Sequence, residues 1–181
     1  MKTLELLAPA RTADIGIAAI DCGADAVYIA GPGFGARQAA GNSVEDVARL
    51  CAHARPFGAR VYATVNTIVY EEELPQVKAL VEELAAAGVD ALIVQDPAVA
   101  EFARGAGMVI HASTQCAVRS ADAARFTESL GYGRIVLERQ MSLEEIKAVR
   151  AAVDAELEFF VHGALCVSYS GQCYLSEYLT G

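Results

Sequence analysis

The chain has 181 residues, of which 54% are hydrophobic, and a formal net charge of −9. This length is enough for one domain with its own core, but no apolar run approaches the roughly 18–20 residues that a membrane-spanning helix needs. The negative charge argues against a broad nucleic-acid-binding face, because such faces are usually basic, although it leaves room for a local basic pocket.

The N-terminal segment and the cysteines bear on the cellular compartment. The apolar run in MKTLELLAPA is too short for a secretory signal, so we predict a first strand there and a cytoplasmic protein. Five cysteines are an odd number in a chain without an export signal, so structural disulfides are not expected. We assign Cys22, Cys51 and Cys116 to packing positions, because a free cysteine behaves as a small apolar residue.

Segments with the pattern of strands and of helices alternate regularly along the chain. The predicted strands are 5–9, 26–30, 60–69, 91–95, 109–115, 134–139 and 156–162. The predicted helices are 12–22, 44–55, 74–87, one from Pro97, 121–130, and one capped by Ser142 with Glu145 three residues on. Repeated βα units with short links predict a parallel sheet covered by helices.

Two α/β folds compete for this pattern. No glycine-rich dinucleotide fingerprint follows the first strand, which weakens a doubly wound fold. The short repeating units favour a (β/α)₈ barrel, although such barrels need roughly 250 residues. We therefore predict a TIM-barrel-like parallel (β/α) barrel that is incomplete, with about seven βα units. Residues 1–181 are expected to be the N-terminal barrel portion of a longer protein.

Active sites of such barrels lie at the carboxyl ends of the strands. Polar or small residues occur there at Gly31, Asn66, Gln95, Asp96, Ser113 to Gln115, Glu138, Arg139 and His162. Strand alternation predicts that His111, Ser113 and Gln115 share one face of the fifth strand. It likewise predicts one shared face of the seventh strand for Glu156, Glu158, Phe160 and His162.

Each candidate has a structural alternative. His111 is either a catalytic residue or a hydrogen-bonded interior histidine. Asn66 either contacts a substrate or caps the loop that follows its strand. The glycine-rich segment GPGFGARQAAGN around Arg37 either cradles an anion or is a flexible link between strand and helix.

Cys166 and Cys173, with six residues between them, follow the last predicted strand. Zinc sites usually pair closer thiols and need four ligands, while iron–sulfur clusters accept wider spacings and also need four. A nucleophilic Cys166 beside His162 would need a third group to orient the imidazole, and none is identified. Spacing alone leaves packing, nucleophile and metal ligand open.

The tail resembles the signature of the collagenase-like peptidase family 32 of unknown catalytic type, the U32 family. Its matching positions are Glu158, Phe160, Gly163-Ala164-Leu165-Cys166, Gly171, Cys173 and Leu175-Ser176. The resemblance continues upstream through ELLAPA (5–10), GADAVYIAG (23–31), FGAR (34–37), VYATVNT (61–67), GVDALIVQDP (88–97), HASTQ (111–115) and SLEEI (142–146). It covers essentially the whole chain.

Two positions depart from the family pattern. Arg11-Thr12 stands where many relatives have a glycine-asparagine pair. Relatives often read V-L-A-R-E before SLEEI, whereas this chain has Glu138-Arg139-Gln140 after Val136-Leu137. The resemblance therefore implies no role for Glu138, while Arg139 keeps its place.

The resemblance implies a barrel-like catalytic domain and, in the better understood members, a four-iron–four-sulfur (4Fe–4S) cluster. Those members are similar to hydroxylases of transfer or ribosomal RNA and to oxygen-independent hydroxylases of ubiquinone biosynthesis. Cys166 and Cys173 would then be two of the four metal ligands, with the others beyond Gly181, so the 181-residue chain alone is not expected to hold a stable cluster. The substrate would be positioned at the barrel mouth by Asn66, His111, Gln115, Arg139 and His162.

The leading hypothesis is an iron–sulfur-dependent hydroxylase that acts on an RNA base or a related aromatic substrate. One alternative is a peptidase that uses Cys166 or a metal, although the sequence has no HExxH helix, no GxSxG elbow and no identifiable Cys/His/Asn set. Another is a non-catalytic, cluster-bearing subunit. The expected partners are RNA or a small aromatic substrate, with no membrane, and a partner chain or further C-terminal segment to complete the site.

Overall fold

A computed structural model of the chain describes residues 4–36, 41–163 and 168–171. It divides into two compact units, an N-terminal unit (Met1–Val109) and a C-terminal unit (Ile110–Gly181). Within the described residues, no helix is long and apolar enough to cross a membrane.

The N-terminal unit is built from four strands that pair in parallel and in chain order. Its strands are β1 (Leu7–Ala10), β2 (Ala26–Ala30), β3 (Arg60–Val65) and β4 (Ala91–Val94). Its helices are α1 (Ala13–Asp21), α2 (Val44–Ala54), α3 (Leu74–Ala86) and α4 (Pro97–Gly105). Short 3-10 turns cover Arg55–Phe57 and Glu71–Glu73.

Side-chain caps explain where these helices begin. Thr12 Oγ1 accepts the Ile15 amide at 3.3 Å, which satisfies one unpaired N–H at the start of α1. Ser43 and Asp46 form a capping box at α2, each accepting the other's backbone amide. These local contacts place the first turn of each helix directly after its preceding loop.

The strands of the N-terminal unit are apolar on both faces, as parallel strands covered by helices require. One face contributes a cluster of Ala26, Tyr62, Ala91 and Ile93, against which Leu7 and Tyr28 pack. Tyr62 is almost completely buried and donates its hydroxyl to Glu5 Oε2 at 3.0 Å. The hydroxyl of Tyr62 therefore has a hydrogen-bond acceptor at the edge of the cluster.

The C-terminal unit repeats the same pattern with β5 (Val109–Ala112, whose first residue is assigned to the N-terminal unit), β6 (Arg134–Val136) and β7 (Glu156–Glu158). These strands pair in parallel and in chain order. Helices α5 (Ala121–Ser129) and α6 (Leu143–Ala152) accompany them, and a 3-10 turn covers Thr114–Cys116. The predicted capping box at α6 is present between Ser142 and Glu145.

The seven predicted strands are confirmed within the described residues, but four of them end three or four residues earlier than predicted. They end at Val65, Ala112, Val136 and Glu158 instead of 69, 115, 139 and 162. After Val65 the amides of Asn66 and Thr67 donate to the Phe34 carbonyl, and not to a neighbouring strand. Residues of high β-propensity follow Val65, but they do not continue the strand because the amides there bind a loop carbonyl and not a neighbouring strand.

The described cysteines follow the packing prediction only in part. Cys51 is buried in α2 and Cys116 is half-buried in its 3-10 turn. Cys22 is exposed, so its assignment to a packing position is wrong. Cys22 is the residue after the last turn of α1, where the chain has already left the apolar face of the helix.

Candidate functional site

The loop that leaves β5 turns sharply and changes the environment of one predicted site residue. Ser113 is buried, and its Oγ accepts the Gln115 amide at 3.2 Å at the start of the 3-10 turn. Ala117 follows with φ +52°, a left-handed conformation that is uncommon outside glycine. Gln115 therefore lies in a turn, and the prediction that it shares a strand face with His111 is wrong.

Glu138, just beyond β6, is the most buried charged side chain of this region, at 2% exposure. Its Oε1 accepts the Ser170 amide at 2.9 Å. Its Oε2 lies 3.5 Å from Arg119 Nη2, and its own amide donates to the Val118 carbonyl at 3.2 Å. A single carboxylate thus joins the loops after β5 and β6 to the chain beyond β7.

Residues 168–171 are attached to those loops by three further contacts. Thr114 Oγ1 donates to Ser170 Oγ at 3.2 Å, and Gln140 Nε2 donates to the Ser168 carbonyl at 3.0 Å. Gly171 has φ +72°, and a Cβ added there would lie 2.2 Å from the Gln115 carbonyl oxygen. Only glycine fits this close approach of two backbones.

The 168–171 segment lies in sequence between Cys166 and Cys173, the two predicted cluster ligands. Both cysteines are outside the described residues. The structure therefore describes how the chain between them is held, and their metal role stays a prediction. Arg37 of the glycine-rich segment also lies outside the described residues.

Two arginines of the C-terminal unit stack on aromatic rings. The Arg119 guanidinium carbon is 5.0 Å from the centroid of the Tyr169 ring, and that of Arg139 is 4.3 Å from the Phe160 ring. Both distances are in the range of cation–π contacts. The side chain of Arg119 is 40% exposed and Tyr169 is 57% exposed, so the first pair reaches solvent.

His111 belongs to a polar row that crosses the three strands of the C-terminal unit. It is buried in β5 and pairs in register with Arg134 of β6, which pairs with Glu156 of β7. Arg134 Nη2 lies 2.5 Å from Glu156 Oε2, and its Nη1 lies 3.6 Å from Glu158 Oε2. His111 is therefore buried beside an ion-paired arginine, and its catalytic role stays a prediction.

The remaining predicted site residues fall in different places. Asn66, in the N-terminal unit, accepts the Ala36 amide on Oδ1 at 3.0 Å, so it holds the loop after β2 and not the loop after its own strand, while its contact with a substrate stays a prediction. His162 is exposed and lies beyond the end of β7, so it does not share a strand face with Glu158 as predicted. Arg139 is half-buried against Phe160.

Sequence analysis assigned no role to the residues that hold the loops of this region together. Glu138 was given no role, and Arg119, Tyr169 and Ser170 were not singled out. One signal was available, because a glutamate that directly follows the apolar run IVL at a strand end must find a partner when it is buried. Its partners are distant in sequence and carry no motif.

The described residues contain no cluster of three or more metal-ligating side chains. Burial raises the pKa of the Cys116 thiol to about 11, and burial followed by the nearby Asp90 charge raises the pKa of Cys51 to about 11. Both thiols are therefore protonated at neutral pH when no metal is bound, which disfavours nucleophilic attack by either of them.

Comparison with known proteins gives a consistent result. The family profile described as peptidase family U32 matches residues 11–181. The chain is 51% identical, over 98% of its length, to the "23S rRNA 5-hydroxycytidine C2501 synthase" of Escherichia coli (strain K12). It is 37% identical over 99% of its length to the "tRNA hydroxylation protein P1" of Bacillus subtilis (strain 168). These matches cover 27% and 43% of the two relatives, so the chain spans less than half of their length.

A solved structure supports the fold. "The Structure of the U32 Peptidase Mk0906" superposes with a TM-score of 0.68 at 19% identity, covering 88% of this chain and 70% of that one. At this identity the likeness concerns the fold alone. The chain has a TIM-barrel-like α/β fold, as predicted.

Proposed function

The chain belongs to peptidase family U32, and from this membership we propose that the full-length protein is an enzyme that hydroxylates a base of RNA. The observation that carries the proposal is the 51% identity, over 98% of the chain, to a relative named as a 23S rRNA hydroxycytidine synthase. The relative named for tRNA hydroxylation shares 37%. A cytidine of 23S ribosomal RNA is therefore the first candidate substrate, and a tRNA base is the second.

The geometry of the C-terminal unit supports a site at the carboxyl ends of β5 and β6. In barrels of this class the loops at this end carry the chemistry. Here they carry Gln115 and Arg139, and His162 follows the end of β7. We assign these three residues to substrate contact, His111 to the interior that supports them, and Asn66 to the loop after β2.

A 4Fe–4S cluster is the proposed cofactor, with Cys166 and Cys173 as two of its ligands. Such a cluster needs four thiolates and supplies redox chemistry when it is bound. We expect the other ligands from further cysteines of the full-length protein or of a partner chain. This chain's own part is to hold residues 168–171, between the two cysteines, against the loops after β5 and β6.

Complementation of an Escherichia coli strain that lacks the 51% identical relative tests the proposal. The full-length protein should restore hydroxycytidine in 23S ribosomal RNA, measured by mass spectrometry of digested nucleosides. Cys166→Ala and Cys173→Ala should abolish this product and lower the iron and sulfide content of protein purified without air. Cys22→Ala, at an exposed cysteine, is the matched control and should behave as the wild type.

The alternatives predict different outcomes in the same strains. If the protein hydroxylates tRNA, the product appears in tRNA and not in ribosomal RNA, in a strain that also lacks the host's own "tRNA hydroxylation protein P". A peptidase would yield no hydroxylated nucleoside, and it would cleave peptides after iron removal but not after Cys166→Ala. A non-catalytic subunit would co-purify with a partner and show no turnover by itself.

A further inference from the structure

Arg119 and Tyr169 form a cation–π pair at the surface of the C-terminal unit. The guanidinium carbon lies 5.0 Å from the ring centroid, and both side chains are exposed. Arg119 Nε also donates to the Ala117 carbonyl at 3.4 Å. A cationic side chain and a large aromatic ring therefore stand together at the surface, where both are partly open to solvent.

Glu138 holds both members of the pair. Its Oε2 faces the Arg119 guanidinium, while its Oε1 accepts the amide of Ser170, the neighbour of Tyr169. At 2% exposure this carboxylate is closed to solvent, so it orients the pair without being reachable by a ligand. Fixing both partners beforehand lowers the ordering cost of binding.

Other exposed arginines of the chain are engaged differently. Arg104 and Arg125 pair with Glu101 and Asp122 on their own helices, three residues away and largely exposed. Those pairs are ordinary surface ion pairs of small energetic value. Arg119 differs from these arginines in its partners, which are a buried carboxylate and an exposed aromatic ring.

We propose that the Arg119–Tyr169 pair is a stacking site for an unpaired base of the RNA substrate, next to the site at the carboxyl ends of β5 and β6. This inference rests on the proposed function. Proteins bind single-stranded RNA by stacking bases on aromatic rings and arginine planes, with positive charge along the phosphates. An acidic peptide would use the charge but would not need an exposed ring beside it.

RNA-binding measurements on the full-length protein test the site. The probes are fluorescently labelled bulk tRNA and protein-free 23S ribosomal RNA, and the readout is the dissociation constant from anisotropy. Tyr169→Ala should weaken binding about 5- to 150-fold, which corresponds to one stacked base. Tyr169→Phe keeps the ring and should bind as the wild type.

Arg119→Ala tests the second member and its charge. Affinity should fall by a similar factor, and the slope of log affinity against log salt should decrease by about one if the guanidinium also neutralises a phosphate. A slope equal to that of the wild type, with reduced affinity, indicates stacking alone and also supports the site. Arg125→Ala and Phe126→Ala, an exposed arginine and ring on α5, are the matched controls and should leave affinity unchanged.

Three results would overturn the inference. Tyr169→Ala and Arg119→Ala variants that bind RNA like the wild type show that the pair is not a stacking site, while the proposed function stands. Equal losses in the α5 controls show that binding is unspecific. A wild-type protein that binds neither RNA refutes the proposed function and the inference together. Protection of the Ser170 amide from hydrogen exchange confirms that each variant keeps the anchored 168–171 segment.

Discussion

The two units of the chain use polar residues at the strand ends in different ways. In the N-terminal unit these residues hold loops: Asn66 accepts the Ala36 amide, and buried Asn42 donates to the carbonyls of Arg11 and Ala30. In the C-terminal unit the corresponding region contains a buried carboxylate, two arginine–aromatic pairs and exposed polar groups. The same repeat thus supports loop geometry in one unit and a candidate site in the other.

The buried residues of the strands also differ in polarity between the two units. The N-terminal unit packs Tyr62 among small and aliphatic residues, and its hydroxyl meets Glu5 at the edge. In the C-terminal unit Arg134 is in register with His111 and Glu156. A polar side chain after an apolar strand is therefore a weak indicator of function by itself. Whether such a side chain holds a loop or belongs to a charged site depends on the residues that it contacts.

The largest expected effect comes from Arg134→Met. The Arg134 side chain is 7% exposed and faces Glu158, which is 16% exposed, so the substitution leaves a buried carboxylate without its counter-charge. We expect the free energy of unfolding to fall by about 3–5 kcal/mol. Arg60→Met, at the corresponding first position of β3 and 57% exposed, should cost about 0–1 kcal/mol. Urea unfolding measures the free energy of unfolding of both variants. Equal losses would contradict the expected difference between the buried arginine of β6 and the exposed arginine of β3.

Cysteine labelling compares one thiol from each unit. Because the pKa of Cys116 is about 11, its thiolate fraction at pH 8 is small and should rise about 100-fold by pH 10, with a matching rise in alkylation rate. Cys51 has a similarly raised pKa but is buried in α2, so it should react more slowly than Cys116 throughout. Exposed Cys22 is the internal reference in mass spectrometry. Rapid labelling of Cys116 at pH 7 would contradict its burial.

Substitutions of Asn66 test whether the N-terminal unit has only a structural role here. Asn66→Ala removes the acceptor for the Ala36 amide and should lower stability by about 1 kcal/mol. Asn66→Asp keeps an acceptor oxygen and should retain both stability and RNA hydroxylation. Loss of hydroxylation in a stable Asn66→Asp variant would instead place this residue in contact with the substrate.

The smallest effects are expected at the two capping boxes, and they should be alike in both units. Hydrogen bonds from Ser43 lower the pKa of Asp46 below 3.8, and those from Ser142 lower the pKa of Glu145 below 4.5. A lowered pKa means stability that is present at neutral pH and is lost as pH falls through the folded-state value. Asp46→Asn and Glu145→Gln should therefore lower the melting temperature slightly at pH 7 and not at about pH 2. A persistent difference at low pH would exclude the ionised carboxylates as its cause.

Local sequence determined the order of the elements and the starts of several helices. Ser43 and Ser142 predict their helices because a cap uses residues only three positions apart, such as Glu145 for α6. The parallel arrangement followed from short alternating apolar segments. The family resemblance kept Arg139 as a candidate and implied a ligand role for Cys166 and Cys173, and these roles stay predictions.

Tertiary structure alone decided the ends of the strands and the candidate site. Strand ends depend on whether the partner backbone continues, as at Val65, where the next amides turn to Phe34. Glu138 and Ser170 are 32 residues apart, and Thr114 and Ser170 are 56 apart. A carboxylate in an apolar segment indicates that a partner is needed, but the sequence does not identify that partner. The partner is fixed only in the folded chain, because the loops after β5 and β6 contact residues 168–171, which are distant in sequence.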